Sequence, residues 1–299
     1  MRIAVTGGGG FLGSATIAYA ELNGDTAWRF DRSDGNDVLG DLKDLKDAEC
    51  VIHMAGMLGT SELFDTPEEA VEANVVGTIR ILEWCKKNNA GFVGITMPDS
   101  DWANVYQATK LCAKKLATAW HRNFSVPVSH VRAFNAFGPG QKHGPGHPQK
   151  FLPTWATLAW EGKPLPVWGS GEQGIDMVRA DDVARMLVDA TGYGDDSTFD
   201  AGTGTSTPVI EVVKYIVKRT GNEDAGILML PMRKGEKPDT YIRASGEGWQ
   251  KLGWKPTFQW HYLDPVIDSY KPDPNDDGII HAVDCPNGCT GSYPECPKA

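Results

Sequence analysis

Tyr106 and Lys110 lie four residues apart in the segment Tyr-Gln-Ala-Thr-Lys. On a helix this spacing puts both side chains on one face. A phenol ordinarily loses its proton near pH ~10. An ammonium group beside it favours the phenolate, so the pair reads as a general acid/base in which Lys110 lowers the pKa of Tyr106. Upstream, residues 6–13 read Thr-Gly-Gly-Gly-Gly-Phe-Leu-Gly. Gly7, Gly10 and Gly13 fit the spacing G-x-x-G-x-x-G, while Gly8, Gly10 and Gly13 fit G-x-G-x-x-G. Either register lets backbone approach a pyrophosphate at a helix N-terminus. Asp31 follows Gly13 by 18 residues. A carboxylate there can accept hydrogen bonds from the adenosine ribose hydroxyls and repel a 2′-phosphate, which favours NAD over NADP. Arg32 beside it is the residue that would instead serve a 2′-phosphate.

These residues need a scaffold, and the pattern supplies one. Short apolar runs alternate with longer helical stretches, as in parallel βαβ units. Strands are expected at 2–6, 26–31, 50–54, 91–96 and 126–133, with helices at 11–23, 67–89 and 104–123. The helix at 67–89 opens with Pro-Glu-Glu, placing proline and acids in its first turn. The glycine turn thus joins a strand to a helix, and the Tyr–Lys pair falls on the helix 104–123. After Phe134 comes a Gly/Pro-rich loop, 138–148, followed by a helix at 151–161, a short apolar run at 165–168 and helices at 181–191 and 209–220. The expected fold class is α/β, a Rossmann-type doubly wound parallel sheet with a smaller C-terminal substrate-binding lobe. Its dinucleotide-binding domain spans 1–133, with segments near 175–205 returning to it. The lobe spans mainly 134–270, and 271–299 is an irregular tail rich in proline and cysteine.

The formal net charge of −10 speaks against a nucleic-acid partner, since binding a polyanion needs a basic face. No apolar run reaches the ~18–20 residues that cross a bilayer, and the first residues read as a strand rather than a signal peptide. A soluble protein of the cytoplasm is expected, with its cysteines reduced. His281, Cys285, Cys289 and Cys296 offer zinc-type ligands, but their spacing matches known fingers poorly, and no metal is expected.

The order of motifs resembles the extended short-chain dehydrogenase/reductase family, in its group of NAD-dependent nucleotide-sugar epimerases and dehydratases. The resemblance is carried by the glycine turn, Asp31, Asp41-Leu42, His53-Met-Ala-Gly56, Asn74-Val-Val-Gly-Thr78 and Tyr106-x-x-x-Lys110. It continues through Arg132-Ala-Phe-Asn-Ala-Phe-Gly-Pro-Gly-Gln141, Gly169-Ser-Gly-Glu-Gln173, Asp181-Asp-Val-Ala184 and Leu252-Gly-Trp-Lys-Pro256. It covers about residues 1–270. It implies that Gly7, Gly10, Phe11, Leu12, Gly13, Asp31, Arg32, Asp41, Leu42, Met54, Ala55, Gly56 and Asn74 bind NAD together with Tyr106 and Lys110. It further implies that Tyr106, Lys110 and Thr96 are catalytic, and that Asn135, Arg179 and Arg233 meet a nucleotide-sugar substrate. A homodimer through the helices 67–89 and 104–123 is implied as well.

Three departures bear on activity. The family's Ser or Thr after the strand 91–96 falls near Met97, leaving Thr96 or Ser100 as substitutes. Ile175 stands where the family has a phosphate-binding arginine, with Arg179 nearby. Pro98-Asp99 replaces the Asp-Glu pair of sugar dehydratases. Epimerisation through a keto intermediate is therefore expected ahead of water elimination. The alternatives are a sugar reductase or dehydrogenase with net cofactor turnover, and an NAD-binding protein that has lost catalysis.

Overall fold

Short runs of small and β-branched residues build the centre of the molecule because such side chains pack on a sheet covered on both faces. The computed structural model describes residues 1–143 and 150–272. In chain order the first half comprises β1 (Arg2–Thr6), α1 (Phe11–Leu22), β2 (Thr26–Phe30), β3 (Cys50–His53), α2 (Pro67–Val71), α3 (Gly77–Asn88), β4 (Gly91–Thr96), α4 (Val105–Phe124) and β5 (Val128–Ala133). The second half comprises β6 (Asn135–Phe137), α5 (Phe151–Trp160), β7 (Leu165–Trp168), β8 (Gly174–Ile175), β9 (Met177–Arg179), α6 (Ala180–Asp189), β10 (Asp195–Ala201), β11 (Thr207–Pro208), α7 (Val209–Thr220), β12 (Ile227–Leu230), α8 (Trp249–Leu252) and α9 (Asp264–Asp268).

Six strands form one parallel sheet in the order β2-β1-β3-β4-β5-β10. One face buries Ile3, Val5, Ile52, Val93, Val131 and Phe199 beneath α6 residues such as Val183 and Leu187. The other buries Ala4, Phe30, Val51 and Val128 against Ile81, Leu82 and Cys85 of α3. Strand order reverses between β1 and β3, and ligands of open α/β sheets bind outside the carboxyl ends at such a point. A second core joins α5, α7 and α9 through Trp155, Val212, Val213, Ile216 and Ile267. The smaller strands pair as β11-β8, β12-β7 and β6-β9.

The segment 67–89 is not one regular helix. Between α2 and α3 the chain makes a π-helical turn over Glu72–Val76, and Asn74 within it is buried. Such a turn widens the helix by one residue. The expected tail, with His281, Cys285, Cys289 and Cys296, lies outside the described residues except for its first two positions.

Two buried carboxylates fasten the C-terminal segment to this frame. Asp176 Oδ1 accepts from Thr203 N and Oγ1 at 2.8 and 2.7 Å, and Oδ2 accepts from Gly204 N and Ala244 N, both at 2.8 Å. Asp200 Oδ2 accepts from the backbone N–H groups of Ser245, Gly246 and Glu247 and from the Ser245 hydroxyl. Its other oxygen takes the Arg132 guanidinium at 2.6 Å. Asp176→Ala strands four donors, so the variant should lose on the order of 3 kcal/mol in urea unfolding. A loss within experimental error of zero would show that these bonds do not hold the segment.

Candidate active site

The turn after β1 is held so tightly that most of its glycines could carry no side chain. Gly7 has φ +71°, a left-handed conformation that favours glycine. A Cβ there would lie 2.8 Å from Ala55 N. Gly10 N donates to Gly7 O at 3.0 Å, and Gly10 is the N-cap of α1. A Cβ on Gly13 would sit 2.2 Å from Gly7 O, so only glycine lets α1 come this close to the turn. Gly8 is restricted as well, since a Cβ there would lie 2.5 Å from Arg29 Cβ, so both glycine registers are sterically required in this turn. The N-terminus of α1 carries no side-chain cap, as suits a cradle for pyrophosphate. Phe11 and Leu12 open that helix, and Phe11 also packs near Gly138.

Asp31 ends β2 with its carboxylate turned toward the same turn. It accepts from Gly9 N at 3.0 Å and from Ser33 N and Oγ at 3.0 and 2.9 Å. Burial opposes its charge, yet these hydrogen bonds and Arg29 hold its pKa below the usual carboxylate value. Arg32 is exposed beside it. Asp41 is also exposed and accepts from Lys43 N, while Leu42 packs toward the core beneath α3.

Across the switch point, Met54 N and Ala55 N donate to Thr6 Oγ1, each at 3.2 Å. Asn74 fixes the next residues. Its Oδ1 accepts from Met57 N at 2.7 Å, and its Nδ2 donates to Met57 O and to Thr109 Oγ1, both at 3.0 Å. A Cβ on Gly56 would lie 2.4 Å from that Oδ1. The amide of Asn74 is thus committed to the chain itself, and the π-helical turn is what brings it there. It supports the cradle where direct cofactor contact was expected.

Asn104 caps α4 by accepting from Gln107 N at 2.8 Å. This sets the first turns of the helix, with Tyr106 half-buried and Lys110 buried. The Tyr–Lys pair lies on one face of α4, as its spacing predicts, and that face is turned inward. Its electrostatics differ from expectation. Burial pushes the Tyr106 phenol up to about 12 and brings Lys110 down to about 8. Desolvation disfavours both charged forms, and here it outweighs the help expected from the lysine. Lys110 is felt instead at His53, where burial foremost and then its charge hold the imidazole pKa to about 3.

Thr96 ends β4, buried, and its hydroxyl has no hydrogen-bond partner. The Ser100 hydroxyl donates to Gln107 Oε1 at 2.7 Å. Neither substitute hydroxyl is thus held ready for a substrate in this conformation.

A cavity beside these elements is lined by Asn135, Trp155, Trp168, Ile175, Arg233 and Glu236, among others. Asn135 and Arg233 are brought there as expected. Arg179 is not among the lining residues. It is the N-cap of α6, makes a two-pronged pair with Asp182 at 2.9 and 3.1 Å, and stacks on Tyr262. Its guanidinium is engaged by Asp182 outside the cavity lining. Arg233 pairs with Glu236 and lies over the Trp168 ring, 5.5 Å from its centroid. The segment carrying it is strapped to the first domain: Ser61 Oγ donates to Lys234 O, and Asn104 Nδ2 to Gly235 O, both at 3.0 Å. Glu236, Lys237, Thr240 and Trp102 were missed as lining residues. Only Met-Arg-Lys-Gly-Glu gave a signal, and it pointed to Arg233 alone. Among the described residues no group of three His, Cys, Asp or Glu could hold a metal, and no helix is long and apolar enough to cross a membrane.

A profile of the NAD-dependent epimerase/dehydratase family matches residues 3–198. The chain is 26% identical over 325 residues to the dTDP-glucose 4,6-dehydratase of Salmonella typhimurium, covering 86% of this chain and 88% of that one. It is 26% identical over 261 residues to a trifunctional enzyme of Arabidopsis thaliana with UDP-glucose 4,6-dehydratase, 3,5-epimerase and reductase activities. That match covers 80% of this chain but only 38% of the plant protein. Among solved structures, the UDP-glucose 4-epimerase of Thermotoga maritima with UDP-glucose superposes with a TM-score of 0.81 at 21% identity, covering 91% of this chain and 99% of that one. A glycine cradle that only glycine can form, an acid at the end of β2 and an inward Tyr–Lys pair agree with the profile, and the chain belongs to the NAD-dependent epimerase/dehydratase family of extended short-chain dehydrogenases.

Proposed function

We propose that this protein is an NAD-dependent epimerase of a nucleotide-activated sugar, working through transient oxidation to a keto sugar. The observation that carries the reading is the Tyr106–Lys110 pair on one face of α4, half-buried and buried, in a chain whose first turn has the glycines of a dinucleotide cradle. Gly7, Gly10, Phe11, Leu12 and Gly13 would hold the pyrophosphate, Asp31 with Arg32 the adenosine ribose, and Asp41 with Leu42 the adenine. Met54, Ala55 and Gly56 would line the cradle's far wall, and Lys110 would hold the nicotinamide ribose. Bound NAD supplies a cationic ring that accepts a hydride and gives it back.

The chain's own work is proton transfer and orientation. Tyr106 takes the proton from a sugar hydroxyl as the carbon–hydrogen bond breaks, then returns it to the new alcohol. Burial alone leaves the phenol protonated at neutral pH. The positive ring brought by NAD, added to Lys110, is what would lower it into a useful range. Asn135 and Arg233 would receive the nucleotide diphosphate, with Arg233 exchanging Glu236 for phosphate oxygens. Thr96 would orient the hydroxyl after a small shift of the strand end. Pro98-Asp99 lacks the paired acids of a dehydratase, and Asp99 already accepts from Gln107 Nε2 at 3.3 Å, which supports epimerisation over elimination.

A second reading, an NAD-binding protein without turnover, is favoured by one observation: the Thr96 hydroxyl is buried and the Ser100 hydroxyl is taken by Gln107. A homodimer through the segment 67–89 and α4 is proposed as well, with Val71 and Val76 exposed on the first and Cys112 on the second. Light scattering at micromolar concentration should then give twice the chain mass.

With NAD and a panel of UDP-, dTDP-, GDP- and CDP-sugars, NMR should reveal new sugar signals with no net cofactor reduction. Cofactor binding without conversion of any sugar would favour the second reading. Tyr106→Phe should lower turnover by at least ~1,000-fold and leave NAD affinity within ~2-fold. Retained activity would remove the tyrosine from the mechanism. Because the phenol must ionise, the rate should rise with pH to a plateau, with a midpoint well below 12, and a flat profile from pH 6 to 10 would count against proton transfer at Tyr106. Asp31→Ser should weaken NAD binding by ~10-fold while improving NADP binding, measured by calorimetry. An unchanged preference would place the ribose elsewhere.

A further inference from the structure

A buried histidine that the chemistry does not use stands between the cofactor turn and the catalytic helix. His53 closes β3 and is 4% exposed. Its Nδ1 lies 2.7 Å from Thr6 Oγ1 and its Nε2 lies 3.1 Å from Thr78 Oγ1. The neighbours decide where the protons sit. Thr6 Oγ1 already accepts from Met54 N and Ala55 N. Both its lone pairs are engaged, so its proton points to Nδ1. At the other end, Thr78 Oγ1 donates to Asn74 O at 2.7 Å, leaving a lone pair to accept from Nε2–H. Every donor meets one acceptor only if the imidazole is neutral with its proton on Nε2.

From Asn74 the connection runs on. Its side chain clasps Met57 through both N–H and C=O and donates to Thr109 Oγ1, which donates to Tyr106 O at 3.0 Å. The backbone that touches Gly7 at residues 54 and 55 is thus joined, through side chains and the backbone of Asn74, to the turn of α4 that holds Tyr106 and Lys110.

We propose that His53 is a positioning residue for the cofactor cradle, locked as the Nε2–H tautomer, which sets the 54–57 segment in register with both the glycine turn and α4. The groups facing it are Thr6, Thr78, the Phe92 ring at 5.8 Å and the charge of Lys110. A second positive charge here would meet Lys110 with no carboxylate among these groups, so neutrality suits the position. In a low-dielectric interior a fully satisfied chain of this kind holds its members rigidly, and a single broken link leaves buried polar groups exposed to one another without partners.

The test uses the full chain. Nitrogen-15 NMR of the imidazole, assigned by the resonance lost in His53→Gln, should give the neutral Nε2–H pattern unchanged from pH 5 to 9. An Nδ1–H pattern, or titration within that range, would overturn the assignment. Calorimetry should show NAD affinity falling about tenfold in His53→Phe and in Thr6→Val, while Thr6→Ser stays within about twofold of the parent. Amide exchange at Met57 should quicken in Thr6→Val although Thr6 does not touch it. Should His53→Phe fail to fold, the Thr6 pair and the parent's tautomer still decide. NAD affinity and Met57 exchange both unchanged in Thr6→Val would reduce His53 to a core residue.

Discussion

The arrangement depends on how closely backbone can approach backbone at Gly7. Three chain segments meet there: the turn itself, the start of α1, and the 54–55 stretch after β3. A Cβ on Gly7 would lie 2.8 Å from Ala55 N and one on Gly13 2.2 Å from Gly7 O, so side chains at either position would force these segments apart and open the cradle. Everything downstream inherits the constraint. Because 54–55 is pressed against Gly7, its N–H groups must find an acceptor, and Thr6 supplies it. Because Gly56 lies against Asn74, the helix that bears Asn74 must widen by a residue to bring the amide in. The site is therefore shaped by steric contact first and by hydrogen bonding second.

The C-terminal segment solves a related difficulty. The cavity wall at 232–244 comes from chain far beyond the sheet, and it must be held without a large apolar interface of its own. Asp176 and Asp200 do this by gathering backbone donors of 203–204 and 244–247. Buried carboxylates are costly unless every lone pair is used. Here each oxygen accepts at least one hydrogen bond. The strap at 234–236 adds contacts to Ser61 and Asn104, and Asn104 also caps the catalytic helix. The strap beside the cavity and the first turn of α4 therefore share one residue.

Much of this was legible in the sequence. The Gly-rich turn, the strands at 2–6 and 91–96 and the helix at 209–220 follow from apolar runs and turn residues, which are local properties. The Tyr–Lys face followed from helix geometry. What escaped has tertiary causes. The π-helical turn in 67–89 exists because Asn74 is satisfied by Met57 and Thr109, partners distant in sequence. β10 carries Asp195, Asp196 and Asp200, so its polarity hid a strand that closes the sheet edge. The pair of Arg179 with Asp182, one helical turn on, also depends on where α6 starts, which the sequence does not mark sharply. The pKa of Tyr106 was misjudged for a similar reason: spacing reveals a neighbouring charge but not the burial that opposes it.

That misjudgement bears on how the enzyme would avoid idle chemistry. Without cofactor, desolvation keeps Tyr106 protonated and draws Lys110 toward its neutral form. A phenol in this state has no tendency to take a proton from a bound alcohol. A cationic ring placed beside it changes the balance for both groups: it favours the phenolate directly, and the phenolate in turn favours a charged lysine. The base would thus be created by cofactor binding and be absent before it. The same reasoning explains why a neutral histidine is tolerated next to Lys110 while a carboxylate is not placed there. A fixed negative charge would hold the ammonium permanently and weaken its pull on the phenol, whereas His53 supports the backbone and leaves the lysine's charge to Tyr106.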